Sequence, residues 1–245
     1  MIIQNHNETL STLTGNMRVT VYRPVADGAY PTIIFYSEIF QQTTPIIRSA
    51  QILAGHGFVV LVPEVFHELN PEGTVLAYDD VGKDKGNADK FAKPLESYDT
   101  DNQAMIDYIQ TQEFCTGKVG SMGVCIGGHL AYRAALNTAV DGAFCLYATD
   151  LHSNTLPCSG KQTLERSGDI GCEMVMIFGK QDPHVSAEGR RLIHDVMTEK
   201  GVNFTWSEVN AQHAFMRDEG ERYDAALALE MYRNAVGFFN RVLRG

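Results

Sequence analysis

The sequence predicts an α/β fold: a mostly parallel, twisted sheet of about seven to eight strands with helices on both faces. Three observations predict it. Short apolar, β-branched runs alternate with longer segments of helical period. The 245 residues are ample to bury a full core without disulfides or metals. No repeat, low-complexity tract or break in composition divides the chain, so one domain is expected over residues 1–245.

Taken in order, a weak strand signal near Leu10–Thr14 precedes β-branched runs at Met17–Tyr22 and Thr32–Tyr36. An amphipathic helix follows at Pro45–His56, opened by proline and closed by Gly55 and Gly57. The run Val59–Val62 is apolar throughout, as a strand buried on both faces requires. A helix is expected at Tyr98–Thr111, a strand at Lys118–Met122 and a helix at Ile126–Leu136. Strands at Ala143–Tyr147 and Met174–Phe178 come next, then a helix at Ala187–Lys200 with Gly201 as its left-handed stop. The strand Phe204–Val209 and the helix Tyr223–Leu243 complete the pattern. Two stretches, 64–96 and 150–171, break the alternation and are expected to be irregular. Both follow strand C-termini, where open α/β sheets bind ligands, so they read as pocket walls.

Composition excludes several classes of function. Twenty Lys and Arg against thirty Asp and Glu give a net charge of −10, which repels nucleic-acid backbones. The N-terminus shows no signal-peptide pattern and no apolar run could span a bilayer, so a cytoplasmic protein without a membrane partner is expected. Five widely spaced cysteines with no C-x-x-C read as reduced thiols, with no zinc site and no cofactor. The glycines at 120, 123, 127 and 128 do not supply a dinucleotide-binding motif.

The strongest chemical signal is Gly123-Val-Cys-Ile-Gly127, between an apolar strand and a helix. It has the spacing of the G-x-S-x-G nucleophile elbow, with cysteine in place of serine. The glycines have a steric reason, because a nucleophile on a tight, positive-φ turn leaves no room for side chains two residues away. An elbow needs an acid and then a histidine later in the chain. Asp182 and His213 each follow an expected strand, at the edge where the elbow ends. Glu38 ends the run Thr32–Glu38 at that same edge.

These residues resemble the dienelactone hydrolase family of the α/β-hydrolase superfamily. The likeness rests on G-V-C-I-G-G at 123–128, G-K-Q-D-P-H-V at 179–185, H-A-F-M-R at 213–217 and S-E-I-F at 37–40. It covers the chain from about Gly15 to the C-terminus and implies an α/β-hydrolase fold. By that resemblance Cys125, His213 and Asp182 form a triad, and Glu38 contacts the resting thiol and helps deprotonate it when substrate arrives. The backbone N–H groups of Ile126 and Ile39 are expected to form the oxyanion hole. Arg217, Tyr147 and Phe40 are expected as substrate contacts. The chain departs from the family in lacking any arginine between Arg48 and Arg133, where a second carboxylate-gripping arginine belongs; only the lysines from Lys83 to Lys93 stand there. Glu64 also replaces the family's usual aspartate.

The expected activity is cysteine-dependent hydrolysis of small esters or lactones, dienelactone-type and carboxylate-bearing, through a thioacyl-enzyme. The alternatives are a broad carboxylesterase or thioesterase for neutral activated esters and a non-catalytic binding protein of the same fold. The partner is a small-molecule ester or lactone, and both monomer and homodimer fit the sequence.

Overall fold

Every strand expected from the sequence forms, most with shifted ends, in the computed structural model, which describes residues 1–244. The elements are β1 (Ile3–Thr12), β2 (Gly15–Pro24), β3 (Tyr30–Tyr36), α1 (Thr44–Gly55), β4 (Val59–Pro63), α2 (Asp80–Ala92) and α3 (Leu95–Thr111). They continue as β5 (Cys115–Val124), α4 (Ile126–Ala134), β6 (Val140–Leu146), β7 (Glu173–Gly179), α5 (Ala187–Glu199), β8 (Phe204–Val209) and α6 (Ala225–Arg244). The strands form one sheet in the order β1-β2-β4-β3-β5-β6-β7-β8. β2 runs antiparallel to β1 and β4, and every other pair is parallel. No helix among the described residues is long and apolar enough to cross a membrane.

The continuous apolar runs of the central strands are explained by burial on both faces. Ile33, Phe35, Val60 and Val62 pack on the side of α1 and α6, with Leu53, Ala235 and Phe239. Their alternate neighbours Ile34, Tyr36, Val59 and Leu61 pack on the other side, with Ile106 of α3, Leu130 of α4 and Ile193 of α5. A period of two with both phases apolar leaves no face for water. All the parallel strands therefore end at one edge, and β3, β5, β6 and β7 deliver their following loops there.

Three expectations are corrected. The weak signal at Leu10–Thr14 belongs to a ten-residue edge strand ending at Thr12. Its register runs unbroken from Ile3 opposite Pro24 to Thr12 opposite Gly15, so the ladder, not its polar sequence, makes it a strand. The stretch 64–96 is not wholly irregular, since α2 occupies Asp80–Ala92 and α3 begins at Leu95 behind Pro94. Asp79 caps α2 by accepting from the Gly82 N–H at 2.7 Å, while Gly82, Gly86 and the dense charge hid the helix from periodicity. The stretch 150–171 contains one 3₁₀ turn, Leu164–Asp169.

Lys93 is not a pocket residue either. Its side chain is 1% exposed, and the ammonium donates to Asp101 Oδ2 at 2.6 Å, Glu68 Oε2 at 2.7 Å and the Val65 carbonyl at 2.9 Å. His67 Nε2 lies 3.1 Å from the other Asp101 oxygen. The convergence of His67, Glu68 and Asp101 is thus answered by a lysine, which ties α2 to α3 and to the loop after β4. Removing one partner of a buried ion cluster strands the others, so Lys93→Met should lower the unfolding free energy by about 3–5 kcal/mol in urea titration. A loss below about 1 kcal/mol would mean that the cluster is solvated in solution.

Candidate active site

The turn between β5 and α4 holds Cys125 at φ 60°, ψ −127°, a conformation that side-chain-bearing residues rarely adopt. Three backbone hydrogen bonds impose it: Cys125 N–H to the Leu146 carbonyl (3.2 Å), and Gly128 N–H (3.0 Å) and Thr149 N–H (3.2 Å) to the Cys125 carbonyl. The flanking glycines are required by space. A Cβ on Gly123 would stand 1.9 Å from the Gly127 carbonyl oxygen, and one on Gly127 would stand 2.2 Å from that of Tyr36. Cys125 is also the N-cap of α4. Burial pushes the thiols of Cys115, Cys145, Cys158 and Cys172 up, which keeps them protonated at neutral pH.

Asp182 follows β7 and His213 follows β8, and the parallel register of those strands sets their loops side by side. His213 Nδ1 and Asp182 Oδ2 are 2.7 Å apart and both residues are buried. The second Asp182 oxygen accepts from the His184 N–H at 2.8 Å, which fixes the carboxylate plane. A carboxylate on Nδ1 requires that nitrogen to carry the proton, which leaves Nε2 on the far side of the ring from Asp182. Burial pulls the His213 pKa down, but the Cys125 charge and the hydrogen bonds the ring donates to Asp182 and Cys125 outweigh it and lift the value to about 10. The fold thus brings Cys125, His213 and Asp182 together from three separate loops.

Glu38 joins them from the end of β3, but not through the contact expected of it. Tyr78 donates to Glu38 Oε1 at 2.6 Å, and the Arg217 guanidinium stands 3.8 Å from Oε2. Neither oxygen is hydrogen-bonded to Cys125 among the described residues. Burial raises the Glu38 pKa, opposed by the Tyr78 hydrogen bond and the Arg217 and His213 charges. Arg217 is directed inward because its acidic sequence neighbours are taken: Asp218 and Glu219 pair with Arg48 at 2.6 and 2.9 Å. Its guanidinium lies 4.3 Å from the Tyr78 ring centroid and 5.9 Å from that of Phe40.

A cavity of about 560 Å³ opens onto Cys125, His213, Glu38, Phe40, Tyr78 and Arg217, with α2 forming the far wall. Lys83 and Lys90 of α2 reach it, but Lys83 pairs with Asp80 at 2.7 Å and Lys90 with Asp150 at 3.0 Å. Ile39 lines the cavity, and among the described residues neither its N–H nor that of Ile126, the first residue of α4, has a protein acceptor. Tyr147 is corrected from a substrate contact to a support. It is 2% exposed, takes no part in the cavity wall, and stacks edge-on against the His213 ring at 5.1 Å. The sequence reading missed Tyr78, which lies in the irregular segment before α2, where no period or motif marks it. It also passed over His184, whose ring lies 4.6 Å from that of His213 and lines the cavity.

Comparison with known proteins identifies the family. A family model described as the dienelactone hydrolase family matches residues 17–243. A protein of Saccharomyces cerevisiae provisionally named carboxymethylenebutenolidase is 41% identical over 261 aligned positions, covering 100% of this chain and 93% of the yeast protein. Carboxymethylenebutenolidase of Pseudomonas putida is 26% identical, over 83% of this chain and 82% of its own. In fold, the chain is similar to a provisionally named dienelactone hydrolase of Klebsiella pneumoniae, with a TM-score of 0.86 at 19% identity, covering 98% and 100% of the two chains.

Proposed function

The chain belongs to the dienelactone hydrolase family and is a hydrolase of that type, and we propose that it cleaves small esters or lactones with Cys125 as nucleophile. The observation that carries this reading is a thiol on a strained strand-to-helix turn, served by a histidine whose far nitrogen is held 2.7 Å from a buried carboxylate. In the proposed reaction His213 Nε2 takes the Cys125 proton and the thiolate sulfur attacks the substrate carbonyl carbon. The oxygen that becomes negative sits between the N–H groups of Ile126 and Ile39, each such donor contributing about 3–4 kcal/mol in comparable sites. When the tetrahedral intermediate collapses, the carbon–oxygen ester bond breaks and His213 returns the proton to the departing alkoxide. This leaves a thioacyl-enzyme. Water then attacks the acyl carbon while His213 takes its proton, the carbon–sulfur bond breaks as His213 passes that proton to the leaving Cys125 sulfur, and the acid departs. Asp182 holds the imidazole tautomer and favours its cationic form throughout.

The test is a hydrolysis panel on the purified protein with p-nitrophenyl acetate, longer acyl esters and a carboxylated unsaturated lactone. Turnover of none of them would refute the reading.

Substrate charge is a separate question, which Arg217 decides. Its guanidinium faces the cavity and lies beyond hydrogen-bond distance of Glu38, so it can still form two bonds to a substrate carboxylate. Arg217→Ala should raise KM for the carboxylated lactone roughly 10–150-fold, the equivalent of about 1.5–3 kcal/mol, and barely change p-nitrophenyl acetate hydrolysis. Equal effects on both substrates would point to the second reading, a carboxylesterase of neutral esters. That reading is favoured by the commitment of Lys83, Lys90 and Lys93 to carboxylates of the protein.

A further inference from the structure

We propose that β1 is an interaction surface for a second copy of this chain, and that two copies join their sheets across it as an antiparallel pair centred on Asn7. β1 and β8 are the two edges of the sheet, and β1 is the longer, at ten residues against six. Natural proteins blunt an exposed edge with proline, lysine, a bulge or a very short strand. β1 has none of these: it reads Ile3-Gln-Asn-His-Asn-Glu-Thr-Leu-Ser-Thr12, and its register on β2 is unbroken.

The ladder fixes the direction of each backbone group. Val25 donates to the Ile2 carbonyl at 3.0 Å, so Ile2 and the even-numbered residues after it turn their N–H and C=O groups toward β2. The odd-numbered residues Ile3, Asn5, Asn7, Thr9 and Ser11 turn theirs outward, and among the described residues no other strand or loop takes them up.

Two antiparallel copies can exchange bonds only between outward residues. Centring the pair on Asn7 sets Ile3 against the partner's Ser11, Asn5 against the partner's Thr9 and Asn7 against its own mate, for about ten backbone bonds. Sliding by one allowed step in either direction loses an outward residue at one end. It also sets His6 against the partner's His6, or Glu8 against the partner's Glu8. In the Asn7 register His6 stands opposite the partner's Glu8, and Glu8 opposite the partner's His6. Within one chain these side chains already lie 3.3 Å apart, so pairing closes a ring of four in which imidazole and carboxylate alternate. The ends of the edge carry apolar surface for the pair to cover, since Ile2 is 82% exposed and Leu13 87%. Leu10 packs on the α3 side of the sheet, and Ile2, an even number of residues away, points to that side. The register brings the partner's Ile2 opposite Thr12, beside a groove of about 630 Å³ lined by Leu10, Leu13, Ala104 and Tyr108.

Sedimentation velocity of the full chain, from about 1 to 100 μM, should show a species of twice the chain mass growing with concentration. His6→Glu sets carboxylate against carboxylate across the pair and should raise the dissociation constant roughly tenfold or more. The swap His6→Glu with Glu8→His restores the alternation and should bring the constant back to within about threefold of wild type. Thr9→Pro removes an outward N–H and leaves the bonds to β2 whole, so it should weaken the dimer roughly tenfold as well. Asn7→Cys should form an interchain disulfide on mild oxidation, seen above the wild-type background on non-reducing gels. Thr9→Cys should not, because Thr9 faces the partner's Asn5 in this register. Circular dichroism checks that each variant is folded, and if Thr9→Pro is not, His6→Glu and its rescue decide. A wild type that stays monomeric throughout, a dimer that withstands His6→Glu, or crosslinking of Thr9→Cys as readily as Asn7→Cys overturns the proposal.

Discussion

Cys125→Ala is expected to lower kcat on any ester in the panel by at least ~10³, about 4 kcal/mol of transition-state stabilisation, while the protein stays folded. The fold should survive because alanine keeps the Cβ already accommodated at φ 60°, and Ala214 stands at the same φ elsewhere in this site. No other thiol can substitute. Cys145 is fully buried, Cys115, Cys158 and Cys172 lie outside the cavity, and burial holds all four thiols protonated. Circular dichroism and a thermal melt establish folding, and intact-mass spectrometry after rapid quenching should find the acyl adduct in the wild type alone. Retention of most activity by the alanine variant would remove the thioacyl route.

Asp182→Asn should lower kcat by about 10²–10⁴ with the nucleophile intact. The asparagine amide can donate to Nδ1, which turns the histidine tautomer over and puts the proton on the nitrogen that must accept one. The same variant carries a stability signature with a defined sign. His213 sits at about 10 in the folded protein against about 6.5 unfolded, so it binds its proton more tightly when folded. The stability this supplies is fully present below about pH 6.5 and is lost as pH rises through about 10. Asp182 contributes to the upward shift, so its removal should destabilise the protein most near pH 6, with the gap to wild type narrowing toward pH 10. Urea midpoints measured from pH 6 to pH 10 check this, and a gap that widens with pH would show that His213 is not the group responsible.

Features that rest on local geometry could be read from the residues alone. The turn was legible because a side-chain-bearing residue at positive φ between strand and helix excludes side chains at two nearby positions, and that demand is written as Gly123 and Gly127 around Cys125. The sheet was legible because strands buried on both faces must be apolar in both phases, as Thr32–Tyr36 and Val59–Val62 are. Asp182 and His213 could be placed because parallel strands deliver their following loops to one edge.

The tertiary structure alone decided which charges meet. Lys93 reads like its neighbours in a charged segment, yet packing of α2 on α3 buries it between Glu68 and Asp101, while Lys83 remains half exposed. Arg217 sits beside Asp218 and Glu219 in sequence, but Arg48, 170 residues away, takes both acids and leaves the guanidinium to face Glu38. Tyr78 had no signal at all, and Tyr147 turned from cavity wall to support because the chain enters φ 38° there and tucks the ring beneath His213. Ion pairs and hydrogen bonds between distant loops impose no spacing on the sequence. Their partners are chosen by how close the packed elements bring flexible side chains, and that distance exists only once the core has formed.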